Sequence, residues 1–193
     1  MSHFYSMITR MKYIERWGLM RNAQKETLSD HTLEVAFIAH ALAVIKNRRL
    51  NGNVNADRAA VLALFHDTSE ILTGDLPTPI KYYSEEIKSA YKRIEEIAGK
   101  QLCDLLPEDL KPEFDEIFSC CDEELLNIVK AADKISALIK CITEISAGNR
   151  DFIQAEKSTR KAIKNMHLPE ADIFLKEFLE SFTLPLDDIT LKK

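Results

Sequence analysis

Apolar and polar positions recur with a period near 3.6 residues almost throughout the chain, and no segment alternates as a half-buried strand would. The pattern predicts an all-α fold. Arg10–Trp17 reads as the end of a first amphipathic helix, stopped by Gly18. Ser29 reads as the N-cap of a helix reaching about Arg48, with Leu33, Ala36, Phe37, Ala41, Val44 and Ile45 as its apolar stripe. Asn51-Gly52-Asn53 is a turn, and Asn55 then caps a helix running to about Leu72, ended by Gly74, Pro77 and Pro79. A charged helix is expected from Ser84 to about Leu106, and Pro107 and Pro112 mark a short broken segment. Asp122 caps a long helix over Leu125–Ala147 with Gly148 at its left-handed end; Phe152–Met166 and Pro169–Phe182 complete the set. No repeat or linker divides residues 1–193, which read as a single helical domain.

Composition narrows the class. With 46% hydrophobic and 30% charged residues in 193, the chain has an ordinary globular balance and enough length for one sizeable core. The longest uncharged stretch, Val35–Ile45, is 11 residues, against about 20 for a membrane span. No basic-then-apolar leader opens the sequence, so a cytoplasmic location is expected. The net charge is −5 and no basic run exceeds Asn47-Arg48-Arg49, a poor match to nucleic acid or to a membrane surface. A small anion bound at one local positive point stays open. Cys103, Cys120, Cys121 and Cys141 form no C-x-x-C pair and read as reduced thiols.

His66-Asp67 follows the apolar run Ala59–Phe65, which places two polar groups near the buried end of a helix. Alone, the dipeptide reads as a helix-end histidine and an exposed aspartate. His31, however, sits in the first turn of the preceding long helix on the side of Val35 and Ile38. Asp133 lies mid-helix among Leu126, Val129, Ser136 and Ala137, where a carboxylate needs a cation. Two imidazoles and two carboxylates on three helices make a mixed N/O set suited to a borderline divalent metal such as Mn, Fe, Co, Ni or Zn.

The order His31…His66-Asp67…Asp133, with Arg16-Trp17 ahead of it and Gly74-Asp75-Leu76-Pro77-Thr78-Pro79 within it, resembles the HD-domain phosphohydrolase superfamily. Within that superfamily it is similar, over the whole chain, to the bacterial 5′-deoxynucleotidases of the YfbR type. The resemblance implies a helical, metal-dependent enzyme that removes phosphate from deoxyribonucleoside 5′-monophosphates, and a homodimer. It implies His31, His66, Asp67 and Asp133 as ligands of one divalent metal, Co2+ or Mn2+ foremost. No histidine between His66 and His167 offers a second metal a ligand. Glu70 would orient or deprotonate the attacking water; Arg16 would hold the phosphate by its planar fork. Trp17 would crowd a ribose 2′-hydroxyl, and the loop Asp75, Leu76, Pro77 and Thr78 would close over the nucleoside. Asp75 would contact the sugar or serve as a further acid/base, with His31 and Asp133 also facing substrate.

Each of these residues has a plainer reading: Arg16 as a surface arginine, Trp17 as a core aromatic, Glu70 as a solvated carboxylate, Asp75 as part of a helix stop. His40, among Ala and Leu, reads as a core or interface histidine, and the charged face of Glu85–Lys100 as solvated. Two other functions compete: an HD tri- or pyrophosphohydrolase, which must neutralise more phosphate charge, and a helical nucleotide sensor without turnover.

Overall fold

The computed structural model describes residues 1–81 and 83–189, without the side chains of Thr78 and Pro79. The expected roles of Thr78 and Pro79 therefore fall on side chains outside the described part. Short helix α1 (Phe4–Ile8) runs into a 3-10 turn at Thr9–Tyr13, followed by α2 (Leu28–Arg49), α3 (Ala56–Phe65), α4 (Glu70–Thr73) and α5 (Thr78–Lys81). Then come α6 (Glu85–Cys103), α7 (Lys111–Phe118), α8 (Glu123–Ser146), α9 (Ile153–Lys164) and α10 (Pro169–Phe178), with 3-10 turns at Arg150–Phe152, Leu179–Thr183 and Leu186–Asp188. Among the described residues the only β pairing is a lone antiparallel bridge, Glu15 to Thr27. The all-α expectation holds.

Helices α2, α3, α8 and α10 pack around one core that includes Val35, Ile38, Leu42, Leu62, Ile128, Ile135 and Leu138. Helix α2 has the length and apolarity of a membrane span; in the fold it is the central helix, flanked by α3, α8 and α10. A smaller cluster of Phe4, Leu102, Cys103 and Leu106 fastens the N-terminus to α6, and Phe4 meets Phe114 edge-on at 4.9 Å.

Four expectations are corrected. Thr27, not Ser29, caps α2: its side chain accepts from the Asp30 amide, while Asp30 accepts from the Thr27 amide, a reciprocal capping box. The buried stripe of α2 is also rotated. Leu33, Phe37 and Val44 are 52%, 68% and 38% exposed, whereas Val35, Ala39, Leu42 and Ala43 are fully buried. A helix apolar nearly all round does not announce which side its neighbours will cover.

The other two breaks concern the residues of chemical interest. Arg16 and Trp17 do not end a helix. Helical hydrogen bonding stops at Tyr13, and Ile14 turns extended because its carbonyl accepts from Leu28 N at 2.9 Å while Arg16 N donates to Glu26 O at 3.0 Å. Nor does the helix from Asn55 run through to Leu72. It stops at Phe65 because side chains take the carbonyls a continuing helix needs: His66 Nδ1 lies 2.7 Å from Ala63 O, and Thr68 Oγ1 donates to Phe65 O at 2.8 Å. Residues 66–69 form a tight turn, closed by Glu70 N donating to Asp67 O at 3.0 Å.

Candidate metal centre and adjoining cavity

The first turn of α2, the turn after α3 and the middle of α8 converge on one point. His31 Nε2 lies 3.2 Å from Asp133 Oδ1 and 3.7 Å from Asp67 Oδ2, and His66 Nε2 lies 3.1 Å from Asp67 Oδ2. Ligand atoms of His31, His66 and Asp133 all fall within 4.8 Å of one another. Side-chain exposure rises from 0% at His31 through 14% at His66 and 18% at Asp67 to 36% at Asp133, so the cluster opens to solvent on one side only.

Hydrogen bonding fixes which imidazole atoms face inward. The Ala63 carbonyl can only accept, so His66 carries its proton on Nδ1 and turns Nε2 to the cluster. His31 Nδ1 is 3.0 Å from Ser136 Oγ, whose hydroxyl donates to Glu34 Oε2 at 2.5 Å. That chain places the His31 proton on Nδ1 as well. Both Nε2 atoms are buried without a hydrogen-bond partner, facing carboxylate oxygens. Acceptors face acceptors, an arrangement that a cation resolves. The residues thus fit a divalent metal. The local field is negative: burial opposes a charged His66, yet the adjacent Asp67 carboxylate raises its pKa to about 9, so this point draws positive charge, and a metal bound there displaces a proton. Burial works against an ionised Asp67 too, but His66, His31 and Arg16 hold its pKa below the usual carboxylate range.

A cavity of about 780 Å3 adjoins the cluster. Asp67, Asp133, Glu70, Arg16, Trp17, Asp75, Leu76 and Pro77 line one part of it. Lys81, Lys134 and Ala137, with Gln154, Ser158 and Thr159 of α9, line the rest. His31, fully buried, is not among the lining residues. Arg16 reaches the cluster itself, with Nη1 3.4 Å from Asp67 Oδ2. Trp17 packs on Phe152 with ring centroids 5.2 Å apart, and its amide donates to Asp75 Oδ2 at 3.3 Å. Glu70 is 5% exposed with Oε2 unpartnered; burial first, then the charges of Asp67 and Asp75, push its pKa up to about 8. A carboxyl poised near neutrality is suited to proton transfer.

Sequence reasoning missed Glu26, Glu34 and the lysines Lys81 and Lys134, and saw Ser136 only as a small neighbour. One signal was available. Ser136, Lys140 and Glu144 follow Asp133 at helical spacing on the apolar face of α8, and all three are buried. Glu144 accepts from the amides of Ala23 and Gln24 at 2.7 and 3.1 Å and from Asn149 Nδ2 at 2.7 Å, while Lys140 donates to Glu144 and to Gln24 O. One face of α8 therefore serves the metal cluster and also anchors the loop that follows Arg16 and Trp17.

Comparisons with known proteins give the family and the fold. A family model described as 5′-deoxynucleotidase YfbR-like matches residues 3–182. A 5′-deoxynucleotidase of Yersinia pestis (strain Pestoides F) is 49% identical over 195 aligned positions, covering 99% of this chain and 98% of that one. Among solved structures, an HD-domain phosphohydrolase from Listeria innocua superposes with a TM-score of 0.80 at 23% identity, over 93% of this chain and 88% of that one. The HD phosphohydrolase of cyanophage S-2L, bound to dA and one catalytic Zn2+ ion, superposes with a TM-score of 0.67 at 20% identity, over 92% and 95%.

Proposed function

Because the chain belongs to the YfbR-like 5′-deoxynucleotidase family, we infer that it is a metal-dependent phosphomonoesterase converting deoxyribonucleoside 5′-monophosphates to deoxynucleoside and orthophosphate. The observation that carries the reading is the fusion of two charge types at the cavity's end. The Arg16 guanidinium lies 3.4 Å from Asp67, so a phosphate seated there meets a fixed cation beside a metal-ligating cluster.

His31, His66, Asp67 and Asp133 would hold one divalent metal, with Co2+ or Mn2+ as the proposed identity. Such an ion supplies charge neutralisation at the phosphoryl oxygens and acidifies water. Arg16 grips the phosphate and stabilises charge as it develops. Glu70 orients a water for attack in line with the departing 5′-oxygen and takes its proton. Trp17 and Asp75, tied to each other through the Trp17 amide, face the sugar, with Leu76 and Pro77 over the nucleoside. A pocket rejects one extra hydroxyl by no more than about 100-fold through crowding alone, so deoxy sugars are preferred rather than required.

Lys81 and Lys134 add positive charge to the cavity wall and favour a second reading, hydrolysis of nucleoside triphosphates. Against it, Lys81 is engaged by Glu95 at 2.8 Å and four carboxylates share the cavity. Phosphate release by chelator-stripped protein, with dAMP, AMP and dATP in parallel and metals restored singly, separates the readings. Orthophosphate from dAMP, less from AMP and only with metal, supports the phosphomonoesterase. Pyrophosphate or triphosphate from dATP alone moves the activity to the second reading, and no product from any of the three leaves a sensor.

A homodimer is part of the same proposal. Phe37, His40, Ala41, Val44, Phe174 and Phe178 line an apolar groove of about 770 Å3 between α2 and α10, a face suited to a second copy. The free thiols of all four cysteines fit a reducing, cytoplasmic setting.

A further inference from the structure

Glu26 belongs to no motif of the sequence, yet its carboxylate touches both residues assigned to phosphate and sugar. Its Oε2 accepts from Nε of Arg16 at 3.1 Å and from the indole Nε1 of Trp17 at 3.0 Å. The Arg16 and Glu26 side chains are only 12% and 13% exposed there. The main chain repeats the tie, since Arg16 N donates to the Glu26 carbonyl beside the Glu15–Thr27 bridge. Trp17 has φ of +59°, which a bulky side chain adopts only where its surroundings impose it. Three contacts do so: its amide on Asp75, its ring on Phe152 and its ring N–H on Glu26. Of these partners, Glu26 alone also holds the guanidinium, and it does not line the cavity.

We propose that Glu26 is a positioning residue that sets the register between the phosphate grip of Arg16 and the sugar-facing ring of Trp17. Discrimination between deoxy and ribo nucleotides then depends on a carboxylate that never meets the nucleotide. The physical reason is geometric. A phosphate held by Arg16 fixes where the sugar lies, and an indole excludes a 2′-hydroxyl only if its plane is fixed relative to that same phosphate. One oxygen bonded to both side chains supplies that common reference, and bonds to an ionised acceptor are the stronger kind. This inference rests on the roles given to Arg16 and Trp17 above.

The test compares kcat/KM for dAMP and AMP in Glu26→Gln, Trp17→Phe, Trp17→Ala and the Glu26→Gln/Trp17→Phe double variant. Glutamine keeps the size of the side chain and removes its charge. Glu26→Gln keeps an acceptor oxygen but weakens both bonds by removing the charge, and is expected to lower the dAMP:AMP ratio about fivefold, the difference between an ionised and a neutral acceptor, while the calorimetric Kd for Co2+ stays at the parent value. Trp17 is the sole tryptophan, so the emission maximum reads its environment directly and should shift to the red. Trp17→Phe keeps a ring without the N–H and should reproduce the loss; the double variant should be no worse, as coupled residues require. A Glu26→Gln that slows both substrates equally and keeps the ratio, beside a Trp17→Ala that collapses it, overturns the link alone. A Trp17→Ala that keeps the parent ratio overturns the sugar-facing reading of Trp17 and the link with it. Should Glu26→Gln fold poorly, Trp17→Phe removes the indole N–H that bonds Glu26 and decides the matter from the other side.

Discussion

The metal cluster and the Arg16–Trp17 segment meet in one cavity but are held in opposite ways. His31 projects from the capped first turn of α2 and Asp133 from the middle of α8, where backbone hydrogen bonding and core packing leave the side chain little freedom. His66 and Asp67 sit at a helix end, but a tight turn with two side-chain hydrogen bonds to backbone carbonyls locks them. Residues 14–27 have one β-bridge and short turns instead. Side chains rather than helical hydrogen bonds hold them: Glu26 on the side chains of Arg16 and Trp17, Asp75 on the Trp17 amide, and Glu144 with Lys140 on the backbone of Ala23 and Gln24. The helical half is suited to holding a metal at fixed distances. The loop half depends on a few buried charged groups, and the loss of one of them should be felt in substrate selection before it is felt in metal binding.

That division can be broken at several points. The largest effect is expected on the chemical side, where Glu70→Gln should lower kcat by about 10²- to 10⁴-fold, as for loss of a proton-transfer group. Calorimetric metal affinity should stay unchanged, since Glu70 is not among the four proposed ligands. Full turnover in that variant would remove Glu70 from the mechanism. Next, Ser136→Ala removes the hydroxyl that orients His31 and should weaken metal binding by about 10- to 100-fold, typical of groups behind a ligand. Its dAMP:AMP ratio should stay at the parent value once metal is saturating. A changed ratio would show that the two halves are not separate.

The smallest effect belongs to the loop anchor. Burial opposes an ionised Glu144, but Lys140, the Ala23 and Gln24 amides and Asn149 outweigh it and hold its pKa at about 2. A carboxyl depressed on folding adds stability that is complete above its unfolded value and fades as pH falls toward the folded one. Glu144→Gln should therefore cost about 1–3 kcal/mol near neutrality, the range for a disrupted buried polar group. The difference from parent should shrink as denaturation midpoints are followed from pH 5 down toward 2. A constant difference across that range would assign the cost to packing rather than to charge.

Much of the helical half was legible in the sequence. Asn55 and Asp122 cap their helices as expected, Gly148 takes a positive φ, and His31 points into the core. The spacing of His31, His66-Asp67 and Asp133 drew attention to the four residues that the fold brings together. The loop half was misread as a helix because Arg10–Trp17 has helical periodicity and nothing local contradicts it. The competing backbone partners, Glu26 and Leu28, lie 10 and 14 residues beyond Arg16 and Ile14, outside any local window.

Sequence by itself determined the helical class, the caps at Asn55 and Asp122, the residue types of the cluster and the family, because these depend on local periodicity, on side-chain chemistry and on motif spacing. Tertiary structure alone decided which side of α2 is buried, where the helix after Asn55 breaks, and which carboxylates do the holding. A glutamate is the same in sequence whether it faces solvent or anchors a backbone. Only packing supplies the partners that distinguish Glu26, Glu34 and Glu144 from the many acidic residues that remain in water.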